Sequence, residues 1–98
     1  MKKITFEDVI SKSIPHGFPD GGKRCIFETS DNIISIVGGR VGLYGDFDRT
    51  FEVAIIDKTT NNFVSKKYFP EYSDSIGEIM PYITREEMLE VVNKMLLL

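Results

Sequence analysis

Residues 38 to 49 read GGRVGLYGDFDR: four glycines interleaved with Arg40, Tyr44, Asp46, Phe47, Asp48 and Arg49. Three chemistries are open to such a stretch. Glycine-rich backbone with arginine can cradle a phosphate, but Gly38, Gly39, Gly42 and Gly45 do not give the G-x-G-x-x-G spacing, and no helical pattern follows to point its amides at an anion. Asp46 and Asp48, with Glu52, could meet a hard cation, yet the further acids of a calcium loop are missing. What remains is a twisted hairpin tip or a recognition surface. An aromatic side chain on such a tip must find apolar cover, either by folding back onto the protein or by meeting a partner. The candidate binding set is therefore Arg40, Tyr44, Asp46, Phe47, Asp48 and Arg49, with no metal and no cofactor expected.

Elsewhere the chemical options are thinner. GFPDGGK, residues 17 to 23, has the G-x-x-x-x-G-K spacing of a nucleotide loop, but Arg24 stands where a magnesium-binding hydroxyl is needed. It also lies between a helical and a strand pattern, the reverse of the order that aims a helix N-terminus at phosphate. His16 and Cys25 are a base and a nucleophile by type alone; an exposed imidazole and a small core thiol account for them. No catalytic constellation emerges, and the chain is expected not to be an enzyme.

The elements that must carry the 38–49 segment follow from periodicity. In TFEDVISKSI, Phe6, Val9, Ile10 and Ile14 recur at helical spacing, with Thr5 as N-cap and Asp8 as its capping-box partner. Pro15 and the turn-rich PHGFPDGG stop that helix. KRCIFET and NIISIV are β-branched and aromatic runs separated by Ser30, Asp31 and Asn32, a hairpin. TFEVAIID is expected as a third strand, the most buried and central, and NFVSKKYF as a fourth, with Lys66 and Lys67 suiting an edge. Thr84 and Glu87 form a second capping box opening TREEMLEVVNKMLLL, whose apolar stripe is Met88, Leu89, Val92, Met95 and Leu96. The expected fold is α+β: N-terminal helix, antiparallel four-stranded β-meander, C-terminal helix, both helices packed on one sheet face.

Ninety-eight residues, 42% apolar and 28% charged, make a single domain spanning 1–98 with one modest core. A net charge of −3 with mixed signs argues against a nucleic-acid partner. Glu7 and Asp8 interrupt any export-signal core, MLLL is too short to span a bilayer, and one cysteine fits a reducing compartment. A cytoplasmic location without membrane contact is expected.

GLYGDFDRTFEVAIID followed by SDSIGEIMPYITREEMLEVV resembles small accessory proteins of tailed bacteriophages, in which a Gly- and Tyr-rich hairpin runs into an E-[VL]-A-V strand and an acidic D-D-V-I-G-Y segment precedes a terminal helix. The resemblance covers about the last 60 residues; Ser75, Glu78 and EIMPYI depart from it. It implies a host-takeover or anti-defence protein that binds and inhibits or modulates a host protein, and carries no catalytic residue across. Two other readings stand beside it. Arg40, Arg49 and Lys23 could surround the phosphate of a nucleotide signal, or Leu96 to Leu98 could leave an apolar patch for homo-oligomer assembly.

Overall fold

The computed structural model describes residues 3–15, 22–39, 43–75 and 77–98. Helix α1, Phe6–Lys12, starts where its capping box requires: the Thr5 hydroxyl accepts the Asp8 N–H and the Asp8 carboxylate accepts the Thr5 N–H at 2.8 Å. Ser13 leaves the helical conformation, and Ile14–Pro15 form a two-residue strand, β1, consistent with the bias that proline places on its predecessor. The strands β2 (Lys23–Glu28), β3 (Asn32–Gly38), β4 (Thr50–Asp57) and β5 (Met80–Thr84) complete one antiparallel sheet in the order β1-β2-β3-β4-β5. Helix α3, Arg85–Leu96, begins at the second capping box, with Thr84 and Glu87 exchanging bonds at 3.2 and 3.0 Å.

The expectation of four strands requires correction in three places, the first being β1, where Ile14 leaves the expected helix to pair with Arg24 as a fifth strand. NFVSKKYF is not a strand: only Phe63 bridges to Ile56, and the chain then turns into a third, short helix, α2, Ser65–Tyr68. Its buried Ser65 hydroxyl accepts the Ile55 N–H at 2.9 Å and donates to the Glu78 carbonyl at 2.8 Å. A helical turn directs Ser65 and Phe69 inward and Lys66 and Lys67 to solvent, which strand alternation could not do. The neighbour of β4 is instead β5, drawn from the expected loop. There Pro81 and Tyr82 together oppose Glu52, between the pairs Val53–Met80 and Phe51–Ile83, so the strand carries a bulge. A bulge also tolerates proline, which has no N–H to give a ladder. The middle strand is β3, and β4 stands one place from it.

Strand parity divides the sheet into two unlike faces. Cys25 and Phe27, Ile34 and Ile36, and Phe51, Val53 and Ile55 share the inner face by register and are all buried. They form one cluster with Val9 of α1, Phe69 just past α2, Met80 and Ile83 of β5, and Met88, Val91, Val92 and Met95 of α3. Val91 joins the expected stripe of α3, while Leu89 and Leu96 pack at the cluster's margin and Leu97 and Leu98 are exposed. The chain's two ends are tied by Asn93, whose amide accepts the Ile4 N–H at 2.7 Å and donates to the Ile4 carbonyl at 3.1 Å.

Two substitutions test this packing by chemical denaturation. Val53→Ala is expected to cost about 1–3 kcal/mol through lost burial and a residual cavity. Ser65→Ala is expected to cost about 1–3 kcal/mol by orphaning the Ile55 amide; an unchanged midpoint for Ser65→Ala would show that its two hydrogen bonds contribute nothing.

Candidate interaction surface

Gly38 and Gly45 are used for close approach. A Cβ on Gly45 would lie 2.7 Å from the Phe51 Cα, and one on Gly38 would lie 2.9 Å from the Phe47 nitrogen. Gly39 N–H donates to the Gly45 carbonyl and Phe47 N–H to the Thr50 carbonyl, both at 2.9 Å, so the segment folds back against the start of β4. This is hairpin architecture, with backbone passing where side chains will not fit.

The six candidate residues separate accordingly. Phe47 is withdrawn from the contact set: it is 5% exposed, its ring meets Phe51 edge-on at 5.2 Å, and it belongs to the core cluster. It does so at a backbone φ of 59°, a conformation unfavourable for a bulky residue and sustained here by burial of the ring. Asp46 organises the turn, its Oδ1 accepting the N–H groups of Asp48, Arg49 and Thr50 at 2.9, 2.8 and 3.0 Å. Those bonds, led by that from Thr50, hold its carboxyl down at about 2. Asp48 is engaged with Arg85, which reaches its carboxylate at 3.1 Å and its carbonyl at 2.9 Å while lying 3.8 Å over the Phe6 ring. Arg49 is exposed, and Arg40 lies outside the described residues.

Tyr44 differs from these. It is 47% exposed and meets Tyr82, 62% exposed, edge-on at 5.7 Å. The pair is held through backbone: Tyr82 N–H donates to the Tyr44 carbonyl at 3.0 Å and Tyr44 N–H to Glu52 Oε1 at 3.1 Å. Tyr82 has φ 52°, so an exposed aromatic occupies a strained bulge position.

The outer sheet face continues from this pair. Register sets three rows across β2, β3 and β4: Arg24–Val37–Glu52, Ile26–Ser35–Ala54 and Glu28–Ile33–Ile56. Pairing adds Ile14, 49% exposed, beside Arg24, and Phe63, 45% exposed, beside Ile56. Ile26, Ile33 and Ile56 are half-buried, Val37 and Ala54 are buried outside the main cluster, and the described helices send their buried side chains into that cluster. Sequence reasoning missed this surface, Tyr82 included. The available signal was NIISIV, whose alternate positions are apolar on both parities.

Other chemistry finds less support. A hollow of about 390 Å³ is lined by Phe6, Ile10, Lys23, Gly39, Asp46, Phe47 and Asp48. Of the two carboxylates there, Asp46 is engaged by turn amides and Asp48 by Arg85. Among the described residues no group of three or more His, Cys, Asp or Glu is placed to hold a metal, and no helix is long and apolar enough to cross a membrane. Cys25 is buried, and desolvation pushes its thiol up to about 11, away from the thiolate a nucleophile needs. His16 lies outside the described residues. No protein-family model, curated protein or solved structure matches this chain.

Stability measurements separate architecture from surface. Phe47→Ala is expected to cost about 3–5 kcal/mol, whereas Tyr82→Gly, which relieves the positive φ, should move stability by less than about 1 kcal/mol. Equal losses would make Tyr82 a structural residue. Asp46 adds a pH signature: a carboxyl lowered from 3.8 to about 2 by native hydrogen bonds stabilises the fold above its unfolded value and loses that contribution as pH falls. The stability gap between the native chain and Asp46→Ala, read from urea midpoints, should therefore be constant near neutrality and shrink from about pH 4 toward pH 2; a gap independent of pH would contradict the turn's dependence on the carboxylate.

Proposed function

We propose that this chain is a non-enzymatic protein-binding module of the phage accessory kind that its last 60 residues resemble, acting in the cytoplasm to inhibit or modulate a host protein. The supporting observation is the Tyr44–Tyr82 pair: two exposed aromatics in edge contact, joined by one backbone hydrogen bond and tied to the Glu52 carboxylate by another, at the border of an apolar sheet face. Tyrosine carries large contact area at little rotamer cost, the property that makes it an interface anchor. Strain at Tyr82 is consistent with a position kept for contact, because glycine there would relieve it. The described helices pack on the other face, and pairing within the sheet holds this one rigid, so little ordering entropy is lost on binding.

Affinity capture from bacterial lysates followed by calorimetry with the recovered protein tests this reading. Tyr44→Ala with Tyr82→Ala is expected to weaken binding by about 2 kcal/mol or more, roughly 30-fold, with the circular dichroism of the native chain retained. Full-strength binding by the folded double variant would remove the pair from the contact surface. Failure to recover any stoichiometric partner across plausible hosts would count against the binding module itself.

A further inference from the structure

We propose that the outer sheet face is a two-fold interface with a second copy of this chain, two sheets packed face to face about an axis that lies in the interface and crosses the strands. The argument rests on the pattern of charge; Tyr44 and Tyr82 border this face, so a host protein held by that pair would compete with the second copy. At one end of the face β2 carries Arg24 and β4 carries Glu52; at the other end β2 carries Glu28, and Lys58, just past β4, lies 3.0 Å from it. The two ends are therefore opposite in sign, strand by strand. Arg24 and Glu28 share a face of one strand four residues apart, about 13 Å.

A two-fold crossing the strands exchanges those ends. It brings Arg24 toward the second copy's Glu28, sets Val37 against the second copy's Ile33, and places Glu52 over the second copy's Ile56, two residues short of its Lys58. The middle row, Ile26, Ser35 and Ala54, then meets its own counterpart on the axis, where small side chains permit two sheets to reach the usual separation of about 10 Å. An axis running along β3 would instead set Arg24 against the second copy's Glu52 and Val37 against its own counterpart; it gives residue 24 no contact with residue 28, so exchanging those two charges distinguishes the axes. Charge that maps onto its own complement under a two-fold rotation is what an isologous contact needs and what an unrelated partner does not.

The available surface is of the right order. Tyr82, Tyr44 and Phe63, at 62%, 47% and 45% exposure, offer about 300 Å² between them, taking about 200 Å² for a whole aromatic side chain. Ile14, the half-buried isoleucines and the aliphatic stems of the charged residues extend this toward the roughly 800 Å² per partner of a standard interface.

Charge exchange tests the arrangement, using the purified full chain alone in sedimentation velocity over a dilution series at low salt. The native protein is expected to move toward twice its 11.2 kDa chain mass as concentration rises. Arg24→Glu and Glu28→Arg should each weaken association by about tenfold or more. The double variant, in which each copy's Glu at 24 again faces an Arg at 28, should recover most of the loss. Circular dichroism guards against misfolding, and both positions are exposed. A native chain that stays monomeric at high micromolar concentration would overturn the proposal. So would a dimer indifferent to both single changes, which would place the contact elsewhere, or a double variant no better than the singles. A dimer that forms with no host protein captured leaves this inference standing and the host-binding reading alone in question.

Discussion

Everything in this fold depends on the parity of three strands held in one register. With Cys25 opposite Ile36 and Ile36 opposite Val53, odd residues of β2 and β4 and even residues of β3 fall on the side that the helices seal. A slip of one residue between β2 and β3 would turn Ile34 and Ile36 outward and bring Ile33, Ser35 and Val37 into the core. Three things fix the register. The Ser30–Asn32 turn is clasped by the Thr29 hydroxyl, the connection to β4 is fixed by Gly38, Gly45 and Phe47, and the inner row has no polar member between Cys25 and Val53.

The hairpin joins that register to the rest of the molecule. Phe47 enters the core beside Phe51, while Asp48 binds Arg85, the first residue of α3, and Arg85 lies on the Phe6 ring of α1. A segment whose composition suggests a ligand loop is thus a clasp between the sheet and both long helices. Exposed pairs such as Asp48–Arg85 contribute little singly. The same clasp leaves Tyr44 outside, directed over β5, where it meets Tyr82.

Much of the fold was legible because local rules and tertiary packing agree. Thr5 with Asp8 and Thr84 with Glu87 announce helix starts, and the β2–β3 hairpin and β4 follow from β-branched runs broken by turn residues. The failures occur where a tertiary partner decides. NFVSKKYF alternates well enough to read as a strand, but the adjacent lysines and the buried hydroxyl of Ser65, which takes the Ile55 amide, favour a helical turn. MPYIT looks like loop because of Pro81, and only a bulge opposite Glu52 makes it strand. For the candidate site, aromatic residues in the hairpin could be named from sequence, but not which of them folds inward. Phe47 and Tyr44 differ by what they meet, the buried Phe51 ring in one case and the exposed Tyr82 ring in the other. Tyr82 could not be connected to Tyr44 at all, since 38 positions of chain separate them.

The central claim is an asymmetry: one sheet face sealed by the chain's own helices, the other left for contact. Attenuation of isoleucine methyl signals by a soluble paramagnetic probe, in dilute protein, measures that asymmetry directly. Ile34, Ile36 and Ile55 should be protected and Ile26, Ile33 and Ile56 attenuated, because the first set is fully buried and the second partly open to solvent. Equal protection of both sets at every dilution would contradict the account, because the chain itself would then cover the face assigned to partners.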